Sequence, residues 1–329
     1  MLRAGPLLCL ASAAAFGAMG VFGKLAYDEG VTVGTLLSAR FALAAALFWL
    51  VVACAGRASH LRSLSRRDVG IALALGAVGY GAQAGAYFTA LERLDDPSLL
   101  ALLVYTFPVI VTGTVIALGR ERASRRTVLA LALASCGLVL VLAGASAGAL
   151  DPLGTALGLG AAIVYSAYIL ISEGVLERID PLVLSTLVCT GAATTLTLAG
   201  VAGGDLGPGR ASATGFVWLG GLAVVSTVGA IALFFAGLRR VGPSAASILS
   251  TVEPVVTVAL AFVVFGEALG PAQLVGGALV LSAVLAVRVP SRVSRDDQPR
   301  LLRRRRGVVA PGSGASSPRT TATPRPGRA

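Results

Sequence analysis

The sequence has little of the chemistry that enzymes use. It contains one histidine, His60, and four well-separated cysteines: Cys9, Cys54, Cys136 and Cys189. One histidine excludes a His-x-x-x-His zinc site, and lone cysteines within apolar runs are typical of small buried hydrophobes. The Gly-x4-Gly-Lys-Ser/Thr loop of nucleotide-binding proteins is absent. We therefore predict no enzyme, no metal site and no cofactor.

Charged residues are also scarce. They make up 13% of the chain, whereas 56% of the residues are hydrophobic and the mean hydropathy is +0.84. A soluble domain carries about 25% charged residues. The apolar residues occur in blocks of about 20, the length that crosses a bilayer core of roughly 30 Å as a helix. The composition predicts an all-α integral membrane protein.

Glycine, proline and charge divide the chain into ten candidate transmembrane helices joined by short loops. Their predicted bounds are 7–27, 33–55, 69–91, 98–118, 127–146, 153–173, 181–203, 212–236, 243–265 and 271–289. Short loops require neighbouring helices to be antiparallel and to pack as one bundle.

Arginine is distributed unevenly over the loops. One set of alternate loops holds only Arg93 and Arg210. The other set, with the N-terminus, holds Arg3, Arg57, Arg62, Arg66, Arg67, Arg120, Arg122, Arg125, Arg126, Arg178, Arg239 and Arg240. The arginine-rich side of a membrane protein faces the cytoplasm. We expect a multi-pass protein of a bacterial plasma membrane with both termini in the cytoplasm.

Most of the net charge of +11 belongs to the C-terminal end, which includes the run Arg303 to Arg306. Residues 290–329 are rich in arginine, glycine, serine, proline and threonine, a composition that cannot bury a core. We predict a disordered, basic, cytoplasmic tail. Two interpretations stay open for it, contact with anionic lipid headgroups and a solvated segment that helps fix orientation. No nucleic-acid partner is predicted.

Two segments of the chain resemble each other at a constant offset of 146 residues. PSLLALLVYTFPVIVTGTVIALGRE (97–121) aligns with PSAASILSTVEPVVTVALAFVVFGE (243–267), so that Pro108 meets Pro254 and Glu121 meets Glu267. Two five-helix repeats follow, 1–146 and 153–289. Because five is odd, the second repeat is inverted in the membrane, an arrangement typical of alternating-access transporters. A purely structural duplication remains the alternative.

These features resemble the EamA family of the drug/metabolite transporter superfamily. The residues that carry the resemblance are the paired Pro-x10-Pro-x12-Glu blocks, Glu253–Pro254, Gly266–Glu267 and SARFALAAALF (38–48). The first repeat departs from the second by having Phe107–Pro108 in place of Glu253–Pro254. Any role of Glu253 is therefore asymmetric.

The resemblance implies a secondary transporter that is not driven by ATP hydrolysis in this chain. It implies export or exchange of small organic metabolites or drugs by alternating access. The alternative from another class is a non-transporting membrane scaffold or lipid-binding helical bundle.

Three ionisable residues lie within predicted spans and are candidates for coupling or charge recognition: Lys24, Arg40 and Glu253. Charges at bilayer depth are costly and usually face a cavity or each other. Lys24 either reaches the outer interface or faces a cavity. Arg40 either makes an ion pair or carbonyl contact, or binds substrate. Glu253, near the midplane, either carries a proton during transport, and so couples it to protons, or fixes helix packing as a protonated carboxyl.

Tyrosines and one glutamine are predicted to line a cavity for an organic solute. Tyr80, Gln83 and Tyr87 are spaced i, i+3, i+7 on one helix face. The other cavity candidates are Tyr105, Tyr165, Tyr168 and Glu253. Aromatic and amide groups suit amphipathic solutes through stacking and hydrogen bonding. Pro108 and Pro254 are predicted hinges because each removes a helical hydrogen bond, and Tyr27 and Trp218 are predicted membrane-interface residues.

Overall fold

The computed structural model describes residues 4–94, 97–142, 151–207, 211–266 and 268–287. The predicted basic tail (290–329) and Glu267 lie outside these described residues. The chain divides into two units, Met1–Pro290 and Ser291–Ala329, and all of the described helices belong to the first unit.

The described residues form an almost entirely helical structure without a β-strand. Eight helical segments are long and apolar enough to cross a membrane. The eight are α1 (Ala4–Asp28), α2 (Val33–Cys54), α3 (Arg66–Leu91), α4 (Leu99–Ala117), α6 (Pro152–Val175), α7 (Pro181–Gly203), α8 (Ala213–Val241) and α9 (Pro243–Phe265). Two shorter helices are α5 (Arg125–Val141) and α10 (Pro271–Ala286). A short helix, Ala58–Ser63, precedes α3.

The prediction of ten spans is confirmed in part. The predicted spans 127–146 and 271–289 correspond to α5 and α10, which have 17 and 16 residues. These lengths fall below the roughly 20 residues that a straight helix needs to cross the bilayer core. The two helices pack along each other, and Gly137 on α5 faces Gly276 on α10.

Local sequence explains where the helices begin. Six N-cap side chains accept a backbone N–H from the first helical turn: Thr32, Ser65, Ser124, Asp151, Asp180 and Ser212. Proline occupies the first helical position of α6, α7, α9 and α10, where its missing N–H has no intrahelical partner to lose.

Both predicted hinge prolines lie just after a break in their helix. In α4 the first part ends at Val104 and the second begins at Phe107, and in α9 the corresponding breakpoint follows Ser250. Val104 and Ser250 are each four residues before a proline, Pro108 and Pro254 respectively. Proline cannot donate to the carbonyl four residues earlier, and its ring crowds that carbonyl. The helical hydrogen-bond pattern is therefore interrupted at the position that each proline dictates.

A second irregularity occurs in both sequence repeats. A π-helical stretch runs through Leu75–Tyr80 in α3, and another runs through Leu222–Gly229 in α8. Their first residues are 147 apart, which is the offset at which YFTALERL (87–94) aligns with FFAGLRRV (234–241). A π-helical stretch shifts every later side chain around the helix axis. Tyr80 closes the first of these stretches.

Helices α3 and α7 cross with their backbones in contact at Gly76 and Gly191. A Cβ atom on Gly76 would lie 2.8 Å from the Ala192 amide nitrogen and closer still to the Val188 carbonyl oxygen. A Cβ on Gly191 would meet the backbone of α3 at Leu73 in the same way. Only glycine at both positions permits this separation.

At each end of the bundle, residues of different loops contact one another. At one end, Arg57 pairs with Asp180 at 2.8 Å and Arg178 pairs with Asp68 at 3.0 Å. At the other end, the Ser212 amide donates to the Glu29 carbonyl oxygen at 3.0 Å, and Thr32 donates to the Asp205 carbonyl oxygen at 2.9 Å. The loops that the arginine count assigned to one side thus contact one another.

Candidate functional site

The predicted cavity tyrosines come together in one aromatic cluster. From α3, the ring of Tyr80 contacts that of Tyr168 on α6 with centroids 5.5 Å apart, and Tyr168 stacks on Tyr165 at 6.1 Å. Phe107 links Tyr165, at 4.8 Å, to Tyr105, at 5.9 Å. The cluster therefore joins helices of the first sequence repeat, α3 and α4, to α6 of the second.

Glu253 on α9 lies against this cluster. The Tyr105 hydroxyl lies within hydrogen-bonding reach of the Glu253 carboxyl group. The carboxyl is also close enough to Tyr80, Tyr87 and Tyr165 to interact with them electrostatically. Its side chain is half-buried. Four tyrosines that the sequence predicts as cavity residues thus lie within electrostatic range of the acid that the sequence singles out.

A small cavity opens beside these rings. In this structure it has room for about one water molecule, and its walls are Gly79, Tyr80, Gln83, Tyr165 and Tyr168. Tyr80 and Gln83 line it from α3 as their spacing predicts, whereas Tyr87, further along the same helix, does not. The walls carry aromatic faces, phenol groups and one amide, the groups that stack on and hydrogen-bond to organic solutes.

Arg40 lies at the α2 side of the cluster. Its guanidinium carbon is 4.6 Å from the centre of the Phe41 ring, and the Phe41 ring contacts Tyr80 at 5.0 Å. One guanidinium nitrogen donates to the Met19 sulfur at 2.8 Å. The buried Nε of Arg40 has no hydrogen-bond partner in the part of the chain that the structure describes. Within those described ranges, the ion pairs do not include Arg40.

Lys24 lies apart from the cluster. Its ammonium group stands 4.0 Å from the centre of the Phe265 ring, near the ends of α1 and α9, and its side chain is exposed. A long cationic side chain at a helix end can reach the membrane interface. This position favours the interface interpretation of Lys24 over the cavity interpretation.

Sequence reasoning missed several members of the cluster. Phe107 and Phe235 belong to the cluster through ring contacts with Tyr165 and Tyr168, respectively. Their apolar rings carry no sequence signal that separates them from lipid-facing phenylalanines. Tyr27, which the sequence predicts as an interface residue, is 42% exposed and lies near the cluster, within electrostatic range of Arg40 and Tyr87. In the described ranges, no three His, Cys, Asp or Glu side chains come together to hold a metal ion.

Glu121, the first-repeat member of the matched glutamate pair, lies at the arginine-rich end of the bundle. Its carboxyl group faces Ser244 and the start of α9, and burial raises its pKa above the usual range. Contacts with the Ser244 hydroxyl and amide oppose this shift, while the charge of Glu173 adds to it. Glu121 thus connects the end of α4 in the first repeat to α9 in the second.

Comparisons with known proteins agree with this architecture. The EamA-like transporter family matches residues 3–143 and again residues 152–289, that is, twice along the chain. An uncharacterized transporter of Archaeoglobus fulgidus is 29% identical over 60% of this chain and 69% of its own length. The uncharacterized transporter YcbK of Bacillus subtilis is 25% identical over 83% of this chain and 89% of its own length.

A crystal structure of a protein with no stated activity shares the fold. It superposes with a TM-score of 0.71 over 86% of this chain and 95% of its own, at 17% identity. The two family matches together cover most of the chain, one on each sequence repeat. The chain is a multi-pass membrane protein and belongs to the EamA-like transporter family.

Proposed function

We propose that this transporter is a secondary carrier that exports or exchanges small organic solutes, without enzymatic activity of its own. The observation that carries the proposal is the tyrosine cluster around Glu253. It lies between helices of the two sequence repeats, and it borders a cavity lined by Tyr80, Gln83, Tyr165 and Tyr168. A solute bound there contacts both repeats, as a carrier that alternates between two openings requires.

The proposed mechanism is alternating access by two inverted five-helix repeats, 1–146 and 153–289. The matched breaks before Pro108 and Pro254 support it, since a break near the middle of a helix lets its two parts change angle. The π-helical stretches at equivalent positions of α3 and α8 also support the duplication. Both prolines act as hinges in this proposal.

Glu253 is the proposed proton carrier. An unpaired negative charge is costly inside a membrane bundle, and a carboxyl group avoids this cost by binding a proton. The Tyr105 hydroxyl can donate to the ionised carboxylate. The first repeat has Phe107 at the equivalent position, so a single acid serves the cycle.

The proposed location is a bacterial plasma membrane with both termini in the cytoplasm. The arginine-rich loops that contact one another through Arg57–Asp180 and Arg178–Asp68 then lie on the cytoplasmic side. Cysteine labelling of single-cysteine variants in intact cells tests this orientation. Labelling at His60→Cys by a membrane-impermeant reagent would contradict it.

Solute flux tests the carrier proposal. Proteoliposomes that contain the purified protein are loaded with one unlabelled metabolite at a time from a broad panel. Uptake of the same radiolabelled metabolite from outside then measures counterflow. Tyr165→Ala should reduce flux of the best substrate strongly, whereas Phe216→Ala, at an exposed position on α8, should leave it unchanged. Absence of counterflow for the whole panel would favour the non-transporting scaffold or lipid-binding bundle.

A further inference from the structure

The guanidinium group of Arg40 lacks the partners that a buried charge needs. Of its five N–H donors, the structure assigns one to the Met19 sulfur, which is a weak acceptor, and the Nε N–H is buried without a partner. Its aromatic neighbour, Phe41, offers only a ring face. Among the described residues, no carboxylate forms an ion pair with it.

The depth of Arg40 makes this arrangement costly. Arg40 follows the first residue of α2, Val33, by seven positions, which places it about 10 Å along the helix. An arginine within the hydrocarbon region carries an insertion penalty, and such side chains usually face a cavity or an opposite charge. A side chain that carries such a penalty usually has a partner in the working state of the protein.

Arg40 and Glu253 differ in how they can lose their charges. Glu253 becomes neutral by taking up a proton, whereas a guanidinium stays protonated under all physiological conditions. Both groups act on Tyr80, which borders the cavity. When Glu253 is protonated, the cluster therefore carries one positive charge that no described side chain neutralises.

We propose that Arg40 is the anion-recognition residue of the tyrosine cluster, beside Tyr80, and that the solute is a small organic anion. The anionic group, a carboxylate or a group of similar geometry, binds the guanidinium fork, and the apolar body packs on the rings of Tyr80 and Tyr168. A planar guanidinium presents paired donors that match a carboxylate. This inference rests on the proposed carrier function, because it names the chemical class of solute for the same site.

Binding measurements on the purified protein test the inference without transport. Three probes share one ring and chain and differ only in charge: phenylpropanoate, phenylpropanamide and phenylpropylamine. We expect phenylpropanoate to bind at least about 10-fold more tightly than the other two, since a hydrogen-bonded charge pair contributes about that much or more. Equal affinity for the amide or the amine, or an affinity for phenylpropanoate weaker than about 1 mM, would overturn the inference.

Variants assign the preference to Arg40. Arg40→Gln should remove the preference for the anion, and Arg57→Gln, an exposed arginine that pairs with Asp180, should retain it. Met19→Leu removes the sulfur acceptor without touching the charge, so its affinity for phenylpropanoate should be unchanged or higher. If Arg40→Gln does not fold, the three probes on the native protein and the Met19→Leu variant still test the inference. The inference requires the Arg40 guanidinium to bind the anion without help from the Met19 sulfur, so a fall in anion affinity in Met19→Leu would contradict it.

Binding and flux separate the inference from the carrier proposal. Anion-selective binding that depends on Arg40, without flux of any solute, supports the binding site and refutes the carrier. Flux of neutral or cationic solutes, without a preference for the anion, supports the carrier and refutes the role of Arg40.

Discussion

Adding one methyl group at Gly76 should separate two helices that meet backbone to backbone. In Gly76→Ala, the new Cβ would lie 2.8 Å from the Ala192 amide nitrogen and still closer to the Val188 carbonyl oxygen. Neither atom belongs to a flexible side chain, so α3 and α7 must move apart. Overpacking of this kind costs about 1 to 3 kcal/mol, and we expect the upper half of that range because both opposing atoms are backbone.

Gly85→Ala is the matched control on the same helix. A Cβ at Gly85 meets no atom within 4 Å. At Gly85, in the α-helical part of α3, alanine gains up to about 1 kcal/mol of helix propensity over glycine. Gly76 lies in the π-helical stretch, so the difference between the two variants contains the cost of the collision together with any difference in this propensity. Reversible unfolding in mixed detergent micelles, followed by circular dichroism, measures this difference.

The same substitution should also affect the candidate site. Tyr80 follows Gly76 by one helical turn and lies on the same side of α3, where its ring contacts Tyr168. Moving α3 away from α7 shifts Tyr80, so Gly76→Ala should bind solute more weakly than Gly85→Ala. A difference in unfolding free energy below about 0.5 kcal/mol would refute the close crossing, because such a value is within the error of independent substitutions.

Four further substitutions probe the two hinges, the buried carboxyl group at the arginine-rich end and an exposed ion pair. Pro254→Ala and Pro108→Ala each restore an N–H to the helix, so transport should slow several-fold while the unfolding free energy stays equal or rises; faster transport would contradict the hinge role. Burial raises the pKa of Glu121 in the folded protein, so the free energy of unfolding should fall as the pH rises through that pKa. Glu121→Gln should remove this fall, and thermal unfolding measured at a series of pH values tests it. Arg57→Ala breaks an exposed ion pair with Asp180 and should lower the unfolding free energy by at most about 1 kcal/mol; a larger loss would mean that the pair is not a surface contact.

The sequence predicts much of this fold because membrane helices follow simple rules. Apolar blocks identify the spans, and the matched prolines identify the broken helices, since the loss of a hydrogen bond is a property of proline itself. The predicted span 127–146 starts two residues after α5 begins, and the predicted span 271–289 starts where α10 begins, while the last residues of both predicted spans lie outside the described residues. Helix ends are hard to predict because apolar composition near Arg125 and Val287 does not define where a helix begins or ends.

The candidate site was predictable in its polar members only. Tyrosines and a lone acid within apolar helices are unusual, and Tyr80, Tyr105, Tyr165 and Glu253 do lie together. Phe107 was not predictable, because the ring contact that makes it the link to Tyr165 depends on how α4 and α6 cross. The π-helical stretch that ends at Tyr80 was also not predictable, because its sequence, LGAVGY, carries no signal that separates it from an α-helix.

The pH dependence of transport by Glu253→Gln tests whether Glu253 carries a proton during the transport cycle. Glutamine keeps the size and hydrogen-bonding shape of glutamate but cannot release a proton. In proteoliposomes, flux through the native protein should change with pH, and flux through Glu253→Gln should be independent of pH while its helical content stays native. A pH profile that is the same in both proteins would contradict the assignment of Glu253 as the proton carrier of this site.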